Sequence, residues 1–220
     1  MKYTCLSLSL LVTAVLSGFS MTELKEFEAR HIKRIDVRNT EGEVKISPVK
    51  GEVAKVIARK EMFSQNCRLE IELESGELAI HVSSLKRFWN SQQCRVDLEV
   101  FVPQKVDTLV RSGSGSVEIE DMEGKLNFKT GSGGLRAKGF FSEVKGDVGS
   151  GNVEIFGVKG LTHVTMGSGN LSVNFAKLSP QEPTPQVSLR SGSGMIQGSG
   201  LSYGIEAQTG SGNIQLSYIT

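Results

Sequence analysis

Charge of one sign is scarce in this chain: 25 Lys and Arg stand against 24 Asp and Glu, a formal net charge of +1. Such a balance builds no broad basic field and excludes general nucleic-acid binding. Proline is rare too, 5 in 220 residues, so the 25 glycines do not mark a collagen-like or disordered composition. Long apolar runs are confined to the first twenty residues. No later stretch reaches membrane-spanning length, and no membrane span is expected in the mature chain. What remains, 38% hydrophobic residues in a chain of this length, can bury one sizeable core.

Residues 1–20, MKYTCLSLSLLVTAVLSGFS, place one Lys before an apolar run that ends in small residues. That layout predicts a secretory signal peptide, cut after Ser20 or two residues earlier; a retained N-terminal anchor is the alternative. Loss of the leader removes one Lys and leaves 24 basic and 24 acidic side chains. It also removes Cys5, leaving Cys67 and Cys94. An even pair in an exported chain predicts a disulfide, against the alternative of two buried thiols. The bridge would close a loop of about 28 residues and stabilise by about 3–4 kcal/mol.

The dominant feature is a repeat. Gly-Ser-Gly recurs with its glycines at Gly113 and Gly115, Gly131 and Gly133, Gly149 and Gly151, Gly167 and Gly169, Gly192 and Gly194, and Gly210 and Gly212. The intervals are 18, 18, 18, 25 and 18, and the long one equals 18 plus a seven-residue insertion at KLSPQEPTPQ (177–186). Steps of nine from Val117 reach Leu126, Leu135, Val144, Val153, Thr162 and Leu171, then, past the insertion, Val187, Ile196, Ile205 and Ile214. Only Thr162 is not aliphatic. Residues two further on are apolar or small, and those between are mostly polar. Period-2 alternation is the strand signal, so each half-repeat is a short strand and a corner. One coil cannot bury its apolar side alone, but stacking makes a continuous core.

These patterns predict an all-β, single-stranded β-solenoid (β-helix) with 18-residue coils, right-handed by the crossover rule. The regular part spans 111–220. Residues 21–110 show longer alternating runs without Gly-Ser-Gly and are read as wide N-terminal coils and a cap continuous with it; a separate β-sandwich is the alternative. The intervals Val44 to Leu78 and Leu78 to Val117 suggest successive coils of near double length. TELKEFEAR (22–30) is the one helical-looking segment and a candidate cap. The twelve glycines serve as structural corners, where a reversal requires φ > 0 or backbones approach closely. The alternate corners, MEG (122–124), FFS (140–142), VKG (158–160) and SYG (202–204), are irregular.

The Gly-Ser-Gly units lack the aspartate of calcium-binding β-rolls. No helix with a following Lys is present for phosphate cradling. Neither metal nor cofactor is expected. His31, His81 and His163 are scattered, and no nucleophile–base or paired-carboxylate spacing stands out.

Gly42-Glu43-Val44-Lys45-Ile46, DLEVFVPQKV (97–106) and the serial SGSGSVEIE, TGSGGLRA and VGSGNVEI resemble the bacterial putative adhesin domain family over about residues 30–220. The resemblance implies an exported β-helical domain and brings no catalytic residues with it. Two places could bind. One is the loop SSLKRFWNSQQC (83–94), with Lys86, Arg87, Phe88 and Trp89. The other is the irregular corner, with Phe140, Phe141, Tyr203 and the proline-rich insertion. In the plainer reading these aromatics cover the core, at least one phenylalanine folding inward.

The reading is an exported, non-catalytic β-solenoid presenting a surface for binding or adhesion to a protein or glycan, in the periplasm or at the cell surface. Self-association through the C-terminal edge is a further expectation. A periplasmic scaffold or signalling partner is the first alternative, and a polysaccharide-acting enzyme the weaker one.

Overall fold

The structure, a computed structural model, describes residues 15–17, 20–84, 94–179 and 181–219. Its strands are β1 (Val15–Ser17), β2 (Ser20–Glu28), β3 (Arg34–Glu41), β4 (Val44–Pro48), β5 (Val53–Met62), β6 (Cys67–Glu74), β7 (Glu77–Ser84), β8 (Arg95–Val102), β9 (Asp107–Ser114), β10 (Val117–Ser132), β11 (Leu135–Ser150), β12 (Val153–Ser168), β13 (Leu171–Phe175), β14 (Val187–Ser193), β15 (Ile196–Leu201), β16 (Glu206–Ser211) and β17 (Ile214–Tyr218). One 3-10 turn, Ala29–His31, is the remaining regular element among the described residues.

The repeat becomes parallel pairing. Val117 lies beside Leu135, Leu135 beside Val153, and Val153 beside Leu171. A second ladder runs through Leu126, Val144, Thr162 and Val187. The insertion lies between β13 and β14 and leaves the pairing on either side in register. Thr162, the one polar residue of its series, is buried and donates its hydroxyl to the Gly160 carbonyl at 3.0 Å, so its polar group is satisfied. The buried side chains form one core cluster from Ala29 to Leu201. Within it Phe128 occupies the space above Gly146, where a Cβ would overlap the ring.

The two corners differ in kind. At the irregular corner β10 and β11 do not break; they bend through register shifts, between Ile119 and Met122 and between Gly124 and Lys125 on β10. Over β10–β12 the expected turn every nine residues is therefore a bulged bend at one corner and a break in the strand at Gly-Ser-Gly, whereas from β13 onward the strand breaks at both corners. Bulges add local twist while keeping most ladder bonds. At Gly-Ser-Gly the two glycines act for separate reasons. Gly151 has φ +137°, and a Cβ there would overlap the Gly133 carbonyl oxygen. Gly131 lacks a positive φ, but its Cβ would lie 2.7 Å from the Gly113 oxygen. Beyond the motif, Asn152 Oδ1 accepts from the Asn170 amide at 3.2 Å and Asn170 Oδ1 from the Met195 amide at 3.3 Å. Asparagine thus stitches neighbouring corners together.

The N-terminal strands do not form wide coils stacked in chain order. Val44 on β4 does align with Val117, but its other neighbour is Leu98 on β8. Leu78 on β7 aligns instead with Ile35 on β3, which pairs with Thr108 on β9. The rung β3–β4 is inserted between β7–β8 and β9–β10. Beyond β7 and β8 the direction reverses: β6 pairs antiparallel with β7, β5 with β8, and β2 with β5. Alternation specifies which face a residue occupies, not which strand lies beside it.

The segment 22–30 is mostly strand rather than helix. Its Glu and Lys residues pair across the sheet, Lys60 Nζ with Glu23 at 2.8 Å and Lys55 Nζ with Glu26 at 3.0 Å. Tertiary pairing outweighs a helical composition here. Cys67 and Cys94 are bridged, with Cα atoms 5.6 Å apart, tying the start of β6 to the chain just before β8. The leader expected over 1–20 falls largely outside the described residues, and the expectation for Lys86, Arg87, Phe88 and Trp89 falls wholly outside them.

Candidate functional site

The bulged corner separates the two phenylalanines of β11. Phe141 points inward and is 1% exposed, whereas Phe140 stands outward at 58%. Phe141 is therefore core and is removed from the candidate binding surface: its ring fills the corner of the hydrophobic stack. Phe140 has no such burial to explain it. A large aromatic left more than half exposed forgoes a good part of the about 1.5–3 kcal/mol that full burial would contribute, which makes it the informative residue.

Two clefts flank Phe140. One, of about 420 Å³, lies between the corner and the proline-rich insertion; Ser142, Lys159, Leu161, Glu182, Pro183 and Pro185 line it with Phe140. The other, of about 440 Å³, is lined by Lys33, Lys105, Asp107, Glu123 and Ser142 with the same Phe140. The ring is thus a partition between an apolar trough and a charged one.

Lys159 Nζ lies 5.8 Å from the Phe140 ring centroid, in cation–π range. The backbone amide of Ser179 donates to Glu182 at 2.6 Å and holds its carboxyl below the usual range. Lys105 meets Glu123 at 3.5 Å. Lys145 and Lys125 both hydrogen-bond Glu143 beside the corner and lower its carboxyl pKa. Charges around the clefts are thus largely paired. The arrangement offers an aromatic plate, an exposed Leu161 and two prolines, the chemistry of apolar contact with a polar rim. A larger cleft of about 650 Å³ sits at the Ala29–His31 turn, lined by Glu28, Arg30 and Glu52, but no large aromatic side chain is exposed there.

Tyr203 does not line these clefts. Its ring packs edge-on against Phe175 with centroids 6.0 Å apart. Burial pushes its hydroxyl pKa up to about 12. It is half-buried packing near the far end of the stack rather than a companion of Phe140. The residues the sequence did not single out are Lys33, Lys105, Lys159 and Leu161. Leu161 left a legible signal: it pairs with Glu143, so a leucine stands where the neighbouring rung has a charge. The lysines left none, because solvated lysines look the same everywhere.

No helix among the described residues is long and apolar enough to cross a membrane. No curated protein matches the chain. Among solved structures, a putative cell adhesion protein from Clostridium sporogenes ATCC 15579 is similar at 13% identity and a TM-score of 0.43, over 91% of this chain and 100% of that one. A putative adhesin from Bacteroides fragilis NCTC 9343 is similar at 12% identity and a TM-score of 0.43, over 90% and 97%. A putative lipid binding protein from Parabacteroides distasonis ATCC 8503 has 12% identity and a TM-score of 0.30, over 90% and 97%. Residues 66–220, more than half of the chain, match the Toastrack DUF4097 description, and the chain belongs to that family.

Proposed function

We propose that this protein is an exported, non-catalytic binding module, a right-handed β-solenoid of eighteen-residue coils that holds its partner at the bulged corner around Phe140. The observation that carries the reading is Phe140 itself, exposed at the bulged bend of a continuous strand, paired with Glu123 on β10 and placed between two clefts. A plate fixed on a sheet loses little conformational freedom on binding, which favours an anchor role. The Cys67–Cys94 bridge supports an oxidising compartment. The name of adhesion proteins among the structural neighbours fits a partner on another surface, protein or glycan. The module also associates with a second copy through the outer edges of β16 and β17, where Ile214, Tyr218 and Ile219 are exposed.

Protease shaving of intact producing cells, with a lysed-cell control, tests the location. Release from intact cells supports surface binding; protection until lysis favours a periplasmic scaffold. Protein and glycan arrays probed with wild type and Phe140→Ala then test the site. Equal signals from both proteins on every bound spot would sink the corner as the anchor.

A further inference from the structure

Outward rows on this stack alternate in charge from strand to strand. One runs Glu99, Lys45, Glu118, Arg136, Glu154 across β8, β4, β10, β11 and β12. Another runs Glu77, Arg34, Asp107 across β7, β3 and β9. Opposite charges side by side stabilise a sheet, and like charges destabilise it. One row instead gathers basic side chains. His81, Arg38, Arg111 and Lys129 stand next to one another on β7, β3, β9 and β10. Acids close the row at both ends, Glu70 beside His81 and Asp147 beside Lys129.

A buried carboxylate, Asp36, 5% exposed, stands in the adjacent row of the same face, two residues before Arg38. Arg38 donates to it from Nε and Nη2 at 3.3 and 2.6 Å. Arg111 Nη1 reaches both of its oxygens at 3.1 and 3.3 Å. His81 Nε2 lies 3.5 Å away. Two permanent cations, Arg38 and Arg111, therefore share one buried anion that holds both guanidinium groups, about half exposed, in place, while Lys129 next to them has no part in that pairing. Beside the row on its Gly-Ser-Gly side the backbone is bare: a Cβ on Gly113 would meet the Thr40 oxygen, and one on Gly131 the Gly113 oxygen. The cations thus edge a shallow strip free of side chains at two successive rungs.

We propose that this row binds a linear acidic polysaccharide, its carboxylates meeting Arg38, Arg111 and Lys129 and its sugar rings lying over the glycine strip. Four strands spaced about 4.8 Å apart make a track about 14 Å long, the reach of a few sugars. The track is one side chain wide and ends in acids, unlike the broad field and stacking aromatics of a nucleic-acid groove. This site lies on a different row from the Phe140 corner, and the inference stands independently of it.

The test is binding of the purified full chain to polygalacturonate, with fully methyl-esterified polygalacturonate as the uncharged control. The acid form is expected to bind, less tightly at higher salt, and the ester not to bind. Arg111→Gln weakens binding about tenfold and Lys129→Gln about threefold. Lys145→Gln, in another row and paired with Glu143, leaves it unchanged. Phe140→Ala also leaves it unchanged, which separates this site from the corner. Lys129 lies outside the Asp36 cluster, so its variant keeps the test open if Arg111→Gln fails to fold. No binding of the acid form, equal binding of the ester, tighter binding of oligothymidylate, or full affinity in Lys129→Gln would each overturn the proposal.

Discussion

Gly151→Val places a β-branched residue at the middle of the stack, and its cost can be worked from the structure. The native φ is +137°, where an L side chain costs about 1–3 kcal/mol. The added Cβ would overlap the carbonyl oxygen of Gly133, which is backbone and cannot rotate away. Relief requires separating adjacent rungs, and the bonds at risk are Gly151 N–H to Ser168 O at 3.2 Å and Gly133 N–H to Ser150 O at 3.1 Å. Each contributes about 0.5–1.5 kcal/mol net. Strain and loosened pairing together give a loss of about 3–5 kcal/mol, or roughly 10 °C in melting midpoint for a chain of this size. Gly134→Ala is the matched control. It follows the Gly-Ser-Gly unit of the preceding rung without a positive φ, and its Cβ would meet nothing nearer than the Asn152 oxygen at 3.4 Å. Its midpoint should stay level or rise slightly. Urea and thermal unfolding of the oxidised proteins would measure both. A Gly151→Val midpoint within about 1 °C of wild type, against that expected loss, would refute the stacking register at this corner.

Reduction of Cys67–Cys94, or the double serine variant, should cost about 3 kcal/mol in urea unfolding and expose β6 to proteolysis first. Burial alone would raise the Asp36 carboxyl pKa, but the Arg38 hydrogen bond and the Arg38 and Arg111 charges outweigh it, so the folded value lies below the usual one. That contribution is fully present above the unfolded pKa of about 3.9 and is lost as pH falls through the lower folded value. The urea midpoint should accordingly drop more steeply below about pH 4 in wild type than in Asp36→Asn, and parallel curves would exclude Asp36 as a source of acid sensitivity. Light scattering at high concentration should detect dimers that Tyr218→Lys weakens by placing a charge on the exposed edge. A wild type that stays strictly monomeric would end the self-association reading.

Much of the regular stack was legible in advance because its constraints are local. Alternation of apolar and polar residues sets which side chains face the core, and glycines recurring at eighteen-residue steps align equivalent rungs. Val117, Leu135, Val153 and Leu171 consequently share one ladder, as the spacing implied. The bridge between Cys67 and Cys94 followed from counting. The irregular corner was placed correctly, but Phe140 and Phe141 were not told apart, because two adjacent aromatics on a bulged strand leave open which one the bend turns inward.

Tertiary structure alone decided which strands became neighbours near the N-terminus. The alternation of β3, β7 and β9 is interchangeable, so nothing local shows that β3 lies between the other two, or that β5 and β6 reverse direction. The same holds for charge. His81, Arg38, Arg111 and Lys129 are dispersed along the chain, and only strand pairing gathers them into one row. Periodicity along the chain was therefore the sequence's contribution. Adjacency across strands, which depends on the free energy of the whole stack, belonged to the fold.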